Sequence, residues 1–365
     1  MLVKTCCTVK TKLFLLFSII ISAIFIGYLF HYRSNLSLLS PLFSSINPPD
    51  LKPKLSLRLS TPPGLDYSNI STPSGVPKHI SYLLYQPLTG YVYATQNPTS
   101  KLAPASFTKL VTTMVSLDVA PAQHLLTASP QAIAKEPTIL GLKAGEQLTI
   151  LELIRASIST SANDAAAVLA EGSAAIYNQP IPFFIDLMNQ KAQLMNMNNT
   201  HFANPEGYDD HNQYSTLEDL YILVHNVQQN YPDIVQAGLS DRDDLQATST
   251  HGFYYLPNWN TLLGLYPGVN GLKIAYTGDA GYSTILTSTR ADFSVNLILT
   301  GATSIQERDQ IAANLLDFAY QTHGFKPLKL TNKDFQTRYD QWRELADQIK
   351  SELANQQASA SAAQP

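Results

Sequence analysis

The feature that most restricts what this chain can fold into is a predicted helix that begins with a serine and a lysine three residues apart. Residues 106–118 (SFTKLVTTMVSLD) carry apolar side chains at helical spacing, and Pro104 marks the entry. Positions three apart share a helix face, so Ser106 and Lys109 can touch. A serine hydroxyl becomes a nucleophile when a base takes its proton, and a lysine is such a base once its pKa falls. The segment predicts an activated serine or, alternatively, a capping serine beside a solvated lysine.

A second polar feature interrupts a strongly helical segment. Residues 148–172 follow a helical pattern that small polar residues break at 157–163 (SISTSAN). Such a break between two apolar helices can direct a hydroxyl and an amide into a cleft. Ser161 is then a candidate proton relay, and Asn163 is a candidate substrate contact. The alternative is an ordinary turn in which Asn163 or Asp164 caps the next helix.

A third feature is a lysine on the first strand of a predicted hairpin. Residues 272–276 (LKIAY) and 282–289 (YSTILTST) are predicted strands joined through glycines. Lys273 would bring a second cation to Lys109, lower the pKa of that base and attract a carboxylate. The alternative is a solvated lysine on an edge strand, where charge discourages aggregation.

Together these segments resemble the motifs of the D-alanyl-D-alanine carboxypeptidases, the low-molecular-mass penicillin-binding proteins of peptidase family S11. That family shares Ser-x-x-Lys, Ser-x-Asn and Lys-Thr-Gly motifs with the serine β-lactamases. The likeness extends over roughly residues 79–325. Three further stretches resemble the family, namely GLKAG at 141–145, FIDLMN at 184–189 and THFANPEG at 200–207.

The resemblance implies a reaction and its catalytic residues. Ser106 would be the acyl-ester nucleophile, Lys109 its base and Ser161 the proton relay. The reaction would remove the terminal D-Ala from a peptidoglycan stem peptide ending in D-Ala-D-Ala, and water would hydrolyse the acyl-enzyme. No metal or cofactor is implied, and β-lactams are candidate covalent inhibitors.

The same resemblance implies substrate contacts and a fold. Asn163 and Lys273 would contact the substrate, and the backbone N–H groups of Ser106 and Tyr276 would form the oxyanion hole. The implied fold is the α/β (α+β) β-lactamase/penicillin-binding-protein fold, also called transpeptidase-like. It packs an antiparallel sheet against helices and places the cleft between the sheet and a helical subdomain.

One motif departs from the family pattern, because Lys-Thr-Gly reads Lys273-Ile274-Ala275 here. Ile274 lacks a hydroxyl, and losing its hydrogen bond to the substrate carboxylate costs about 1.5–3 kcal/mol. Thr277 or Ser283 could supply a replacement, while Ala275 adds a methyl group where glycine lets the substrate lie close. We therefore expect acylation with weakened or altered recognition. Two alternatives stay open, a catalytically weak scaffold that binds wall peptides and a β-lactamase.

The N-terminal sequence predicts attachment to a membrane. Leu13–Phe30 is uncharged and mostly apolar, and it is long enough to cross a bilayer as a helix. Lysines precede it, so residues 1–12 are predicted to be cytoplasmic and the catalytic part extracytoplasmic. We expect a single-pass signal-anchor in a bacterial cell membrane, with a cleaved signal peptide as the alternative.

The remaining segments complete the predicted organisation. Residues 31–78 are rich in proline and serine and predict a linker, followed by the catalytic domain at 79–325. Residues 326–365 predict an amphipathic helix, which docks on that domain or pairs with another copy, and then a disordered tail. The net charge of -4, without a basic patch, argues against nucleic acid as a partner.

Overall fold

The computed structural model describes residues 58–362. The predicted cytoplasmic segment, the predicted anchor at Leu13–Phe30 and the first part of the linker therefore lie outside the described residues. Among the helices between residues 58 and 362, none is both long enough and apolar enough to cross a bilayer.

The strands of the described part form one large sheet and two small ones. The large sheet has five strands in the order β2-β1-β9-β8-β7, and every neighbouring pair in it is antiparallel. β3 pairs with β4, and β5 pairs with β6. The strands are β1 Ser81–Tyr85, β2 Val92–Gln96, β3 Leu125–Thr127, β4 Gln147–Thr149, β5 Arg242–Leu245, β6 Tyr254–Pro257, β7 Val269–Thr277, β8 Gly281–Arg290 and β9 Phe293–Ala302.

Helices cover both faces of the large sheet. Along β1, Leu83 and Tyr85 pack into a core with the middle helices, whereas Tyr82 and Leu84 pack into a second core with the C-terminal helices. This alternation follows from the two-residue repeat of a strand. The helices are α1 Thr108–Val119, α2 Pro130–Ile133, α3 Ile150–Arg155, α4 Asn163–Ile176, α5 Ile181–Leu194, α6 Leu217–Asn230, α7 Pro232–Leu239, α8 Ile305–Gln321 and α9 Asn332–Ala362.

Helix α1 runs through the centre of the helical part and is buried from Thr108 to Leu117. A helix that is buried all round needs partners for its polar groups. At its end, Asp118 accepts hydrogen bonds from Lys191 Nζ on α5 at 2.8 Å and from the hydroxyl of Tyr231 at 2.9 Å. Lys191 Nζ also lies 2.7 Å from that hydroxyl, so the three side chains form a closed buried cluster.

The stretch before β1 lies on the folded domain. Its backbone is irregular, as the prolines predict, but Leu59, Leu65 and Tyr67 pack against the first core. The hydroxyl of Tyr221 on α6 donates to the Pro63 carbonyl at 2.7 Å. Residues 59–67, which we assigned to the linker, therefore do not form a free spacer.

The predicted C-terminal helix is present as α9 and docks on the catalytic domain. Phe335 is completely buried in the second core. Arg338 forms an ion pair with Asp241 and donates to the Leu263 carbonyl at 3.0 Å. The helix continues to Ala362, so most of the tail that we expected to be disordered is helical.

Candidate active site

Ser106 lies on a short 3₁₀ turn, Ala105–Phe107, which leads directly into α1. Lys109 Nζ is 3.0 Å from Ser106 Oγ, as the three-residue spacing predicts. Ala105 has a φ of 46°, a conformation in which few residues other than glycine are found. Gly207 packs its backbone against this turn, and a Cβ there would overlap the Ala105 carbonyl oxygen. Ser106 is therefore held by a close backbone contact.

Lys109 has the environment of a general base. Its ammonium nitrogen lies 2.7 Å from Asn163 Oδ1 and 2.5 Å from the Glu206 carbonyl oxygen. Complete burial lowers the pKa of Lys109 to about 7, although the carboxylates of Glu206 and Asp164 oppose the shift. A substantial fraction of Lys109 is thus neutral near pH 7 and able to take a proton.

Ser161 follows a π-helical turn, Ala156–Thr160, that separates α3 from α4. Its φ of 63° turns the chain sharply, and it lines the same cleft as Ser106. Turns of this kind are frequent at functional sites. Among the described residues, Ser161 Oγ makes no hydrogen bond with Lys109.

Asn163 begins α4 and holds Lys109 in place. Its Oδ1 accepts from Lys109 Nζ, and its Nδ2 donates to the Glu136 carbonyl at 2.8 Å. Both ends of the amide are thus engaged. The neighbouring Asp164 accepts hydrogen bonds from the backbone N–H groups of Leu140, Gly141 and Leu142, so it fastens the GLKAG loop.

Lys273 lies on β7, the strand at the edge of the sheet next to the cleft. Its side chain is buried and donates to the Ile274 carbonyl at 2.9 Å, so the solvated alternative is wrong. Burial, together with repulsion from Lys109, depresses the pKa of Lys273. Burial is the main cause of the low pKa of Lys109. The repulsion between the two lysines is mutual and therefore acts on Lys109 in the direction that we expected.

The altered part of the third motif also faces the cleft. Ile274, Ala275, Tyr276 and Thr277 all line it. Ser283 is instead buried and donates to the Ala280 carbonyl at 3.2 Å. Of the two hydroxyls that we considered as replacements, Thr277 is therefore the one on the cleft.

Ser106, Ser161, Asn163 and residues 274–277 line one cavity of about 930 Å³. Near Asn163, its wall includes Glu136, Pro137, Thr138 and Tyr208. A second group of lining residues comes from the segment after β6, from the start of α8 and from α9. These residues are Trp259, Ile305, Arg308, Tyr339, Trp342, Arg343, Ala346 and Asp347. Between residues 58 and 362, no group of three His, Cys, Asp or Glu side chains could hold a metal ion.

Sequence reasoning missed several of these residues. The carbonyl oxygens of Glu136 and Glu206 carry no side-chain signal, so only the fold reveals them. Arg308 is 2% exposed and lines the cleft, where its Nε donates to Asp309 Oδ1 at 2.7 Å. Arg308 lies in the first turn or two of α8, a helix that we did not predict from the sequence.

Residues 75–304 match the peptidase S11 family, described as D-alanyl-D-alanine carboxypeptidase. The chain belongs to this family, which confirms the family predicted from the motifs. It is 28% identical over 258 residues to the D-alanyl-D-alanine carboxypeptidase DacF of Bacillus subtilis, covering 69% of this chain and 65% of the relative. It is 26% identical over 271 residues to DacA of Escherichia coli, covering 70% and 64%. The chain thus spans less than two thirds of the length of these relatives.

Solved structures agree on the fold. Penicillin-binding protein 6B from Escherichia coli matches with a TM-score of 0.60 and 25% identity, covering 72% of this chain and 82% of that one. The Streptomyces K15 DD-transpeptidase matches with a TM-score of 0.61 and 22% identity, covering 69% and 99%. The predicted fold class, an antiparallel sheet packed with helices, is confirmed.

Proposed function

We propose that this chain is a serine-type D-Ala-D-Ala carboxypeptidase that removes the terminal D-Ala from peptidoglycan stem peptides. The observation that carries the proposal is the pair of Ser106 and a buried Lys109 of lowered pKa, 3.0 Å apart, in the cleft of a family member. A neutral lysine at that distance can accept the serine proton.

The proposed reaction proceeds through an acyl-enzyme. Lys109 takes the proton from Ser106 Oγ, which attacks the carbonyl carbon of the penultimate D-Ala. The backbone N–H groups of Ser106 and Tyr276 would stabilise the oxyanion. Ser161 passes a proton to the leaving amine, the C–N bond breaks, and water later hydrolyses the ester.

Recognition of the substrate carboxylate falls to the cations near the cleft. Lys273 remains a candidate contact, and Arg308 adds a buried guanidinium on the cleft wall. Arg308 already pairs with Asp309 through Nε and one terminal nitrogen, so a substrate carboxylate would bind through the remaining N–H groups of the guanidinium and replace the hydroxyl that Ile274 lacks. Asn163 remains a candidate contact for the stem peptide, because its amide oxygen can accept a second hydrogen bond and its NH2 group can donate a second one.

We infer that the enzyme works outside the cytoplasm, held to the cell membrane by the predicted anchor at Leu13–Phe30. Its substrate belongs to the cell wall, and the order of lysines before an apolar run supports this orientation. β-Lactams, which acylate a serine of this kind through ring opening, are proposed as covalent inhibitors.

The proposal is tested by measuring D-Ala release from a peptide ending in D-Ala-D-Ala, with the full chain and a Ser106→Ala control. We expect release that the control abolishes. Absence of release from the folded wild-type protein would contradict the proposal.

The second candidate is the wall-binding scaffold, which the replacement of threonine and glycine by Ile274 and Ala275 favours. In that case, Ile274→Thr with Ala275→Gly would restore binding contacts but leave function in cells unchanged. For a carboxypeptidase, the same pair should raise kcat/KM by about ten- to a hundredfold, the equivalent of one hydrogen bond to a charged group. Fast turnover of a penicillin would instead indicate a β-lactamase.

A further inference from the structure

One face of the C-terminal helix forms part of the cleft wall. The lining residues of α9 recur at intervals of three and one, which is the spacing of a single helix face. Its exposed opposite face includes Gln341, Glu344 and Gln348, which are not cleft residues. The cleft face consists of Tyr339, Trp342, Arg343, Ala346 and Asp347.

This wall is fixed to the domain rather than laid loosely on it. Phe335, one turn before Tyr339, is fully buried. Arg338 is paired with Asp241 in the segment before β5, and its guanidinium lies 5.1 Å from the centre of the Trp342 ring. An ordered arginine beside the ring restricts where Trp342 can move.

Trp342 meets the opposite wall of the cleft. Its ring and that of Trp259 are edge to face, with centroids 5.7 Å apart and planes at 83°. Both rings line the cavity. Because the two side chains are in contact, α9 and the segment after β6 meet at this end of the cleft.

The end of the cleft where the two rings meet is also the end with the buried guanidinium. The hydroxyl of Tyr339 donates to Asp309 Oδ2 at 3.0 Å, and Asp309 Oδ1 accepts from Arg308 Nε at 2.7 Å. Arg308 therefore lies directly beside the α9 wall. A substrate whose terminal carboxylate pairs with Arg308 would place its last residue between Ser106 and this wall.

We propose that α9, chiefly through Trp342 against Trp259, limits the substrate to a single residue after the scissile bond. This inference rests on the proposed carboxypeptidase function. Helix α9 would be the part of the chain that restricts cleavage to the C-terminal residue of the peptide. A peptide with one further residue after D-Ala-D-Ala would collide with the two rings.

The test compares kcat/KM for a peptide ending in D-Ala-D-Ala with that for the same peptide extended by one C-terminal glycine. Both are measured on the full chain, on Trp342→Ala and on Trp342→Leu, which retains apolar packing if alanine destabilises the helix. We expect the ratio of extended to unextended cleavage to rise at least about tenfold in the variants, because a larger pocket admits a larger group. Glu344→Ala, on the exposed face of α9, should leave both values unchanged.

The outcomes are distinct. A ratio that stays at the wild-type value in a folded Trp342→Leu protein overturns the inference while leaving the carboxypeptidase intact. Loss of cleavage of both peptides in equal proportion also overturns it, since the helix would then be a structural support. If the wild-type protein cleaves neither peptide, the result contradicts the proposed function and the inference that depends on it.

Discussion

Two buried lysines share this site, and their surroundings give them different chemistry. Lys109 has two oxygen partners besides Ser106, whereas the hydrogen bond of Lys273 goes to the carbonyl of its neighbour Ile274. Both pKa values fall through burial, and Lys273 is also repelled by Lys109. The contact with Ser106 makes Lys109 the better placed base.

The low pKa of Lys109 predicts a pH dependence for acylation. Below about pH 7 the amine is protonated and cannot accept the serine proton, so the rate should rise with pH and reach half its maximum near pH 7. The measurement is the rate at which a labelled penicillin acylates Ser106 between about pH 5 and about pH 9. A rate independent of pH across this range would contradict the assignment.

A variant at Glu206 tests whether Lys109 sets the midpoint of the pH dependence of acylation. The Glu206 carboxylate favours the protonated amine, so Glu206→Gln should lower the pKa of Lys109 and move the midpoint to lower pH. The shape of the side chain is preserved. A midpoint that moved upward would show that the carboxylate does not act on Lys109 through its charge.

For single residues, the sequence was enough to bring together side chains that are close to each other along the chain. Ser106 and Lys109 are three apart, so helix geometry alone brings them together. The contact of Lys109 with the Glu206 carbonyl joins positions 97 residues apart, and a backbone oxygen leaves no mark in the sequence. The burial that sets the pKa values is likewise a property of the folded core.

Among the elements, the 3₁₀ turn that carries Ser106 depends on the loop that packs against it. Gly207 has a φ of 94°, and its missing side chain makes room for the Ala105 carbonyl. Alanine at this position must move the turn and Ser106 with it.

Gly207→Ala should therefore slow acylation by about a hundredfold, since a displacement near 1 Å is enough for that loss. Gly145→Ala is the matched control, because Gly145 has a φ of 87° and nothing within 4 Å of the added methyl. Both variants should lose about 1–2 kcal/mol of stability from the left-handed backbone. Labelled-penicillin acylation and thermal unfolding measure the two effects, and equal acylation rates in the two variants would disprove the packing role.

The predicted elements matched the structure where their patterns are local. The hairpin at the third motif is present, although β7 begins at Val269 rather than at Leu272. The helix break at the second motif is also present, but its π-helical form gave no sequence signal. The apolar spacing of α9 predicted a docked helix, yet which face meets the cleft depends on tertiary packing.

In the whole molecule, the helical part is held together by a polar cluster as well as by its apolar core. Lys191 and Asp118 are completely buried, and Tyr231 hydrogen-bonds to both. These residues connect α1, α5 and the start of α7. Removing one partner of a buried ion pair leaves the other charge without compensation.

Lys191→Met should therefore lower the free energy of unfolding by about 3–5 kcal/mol. The double variant Lys191→Met with Asp118→Asn should recover much of this loss, since no buried charge remains. Urea unfolding followed by circular dichroism measures both. A single variant as stable as the wild type would show that the pair does not contribute.

The two tryptophans of the chain are Trp259 and Trp342, and both line one end of the cleft in contact with each other. The tryptophan fluorescence of the unlabelled protein therefore comes from the site itself. Ligand binding at that end can be followed from the tryptophan emission, without a reporter group and without waiting for turnover.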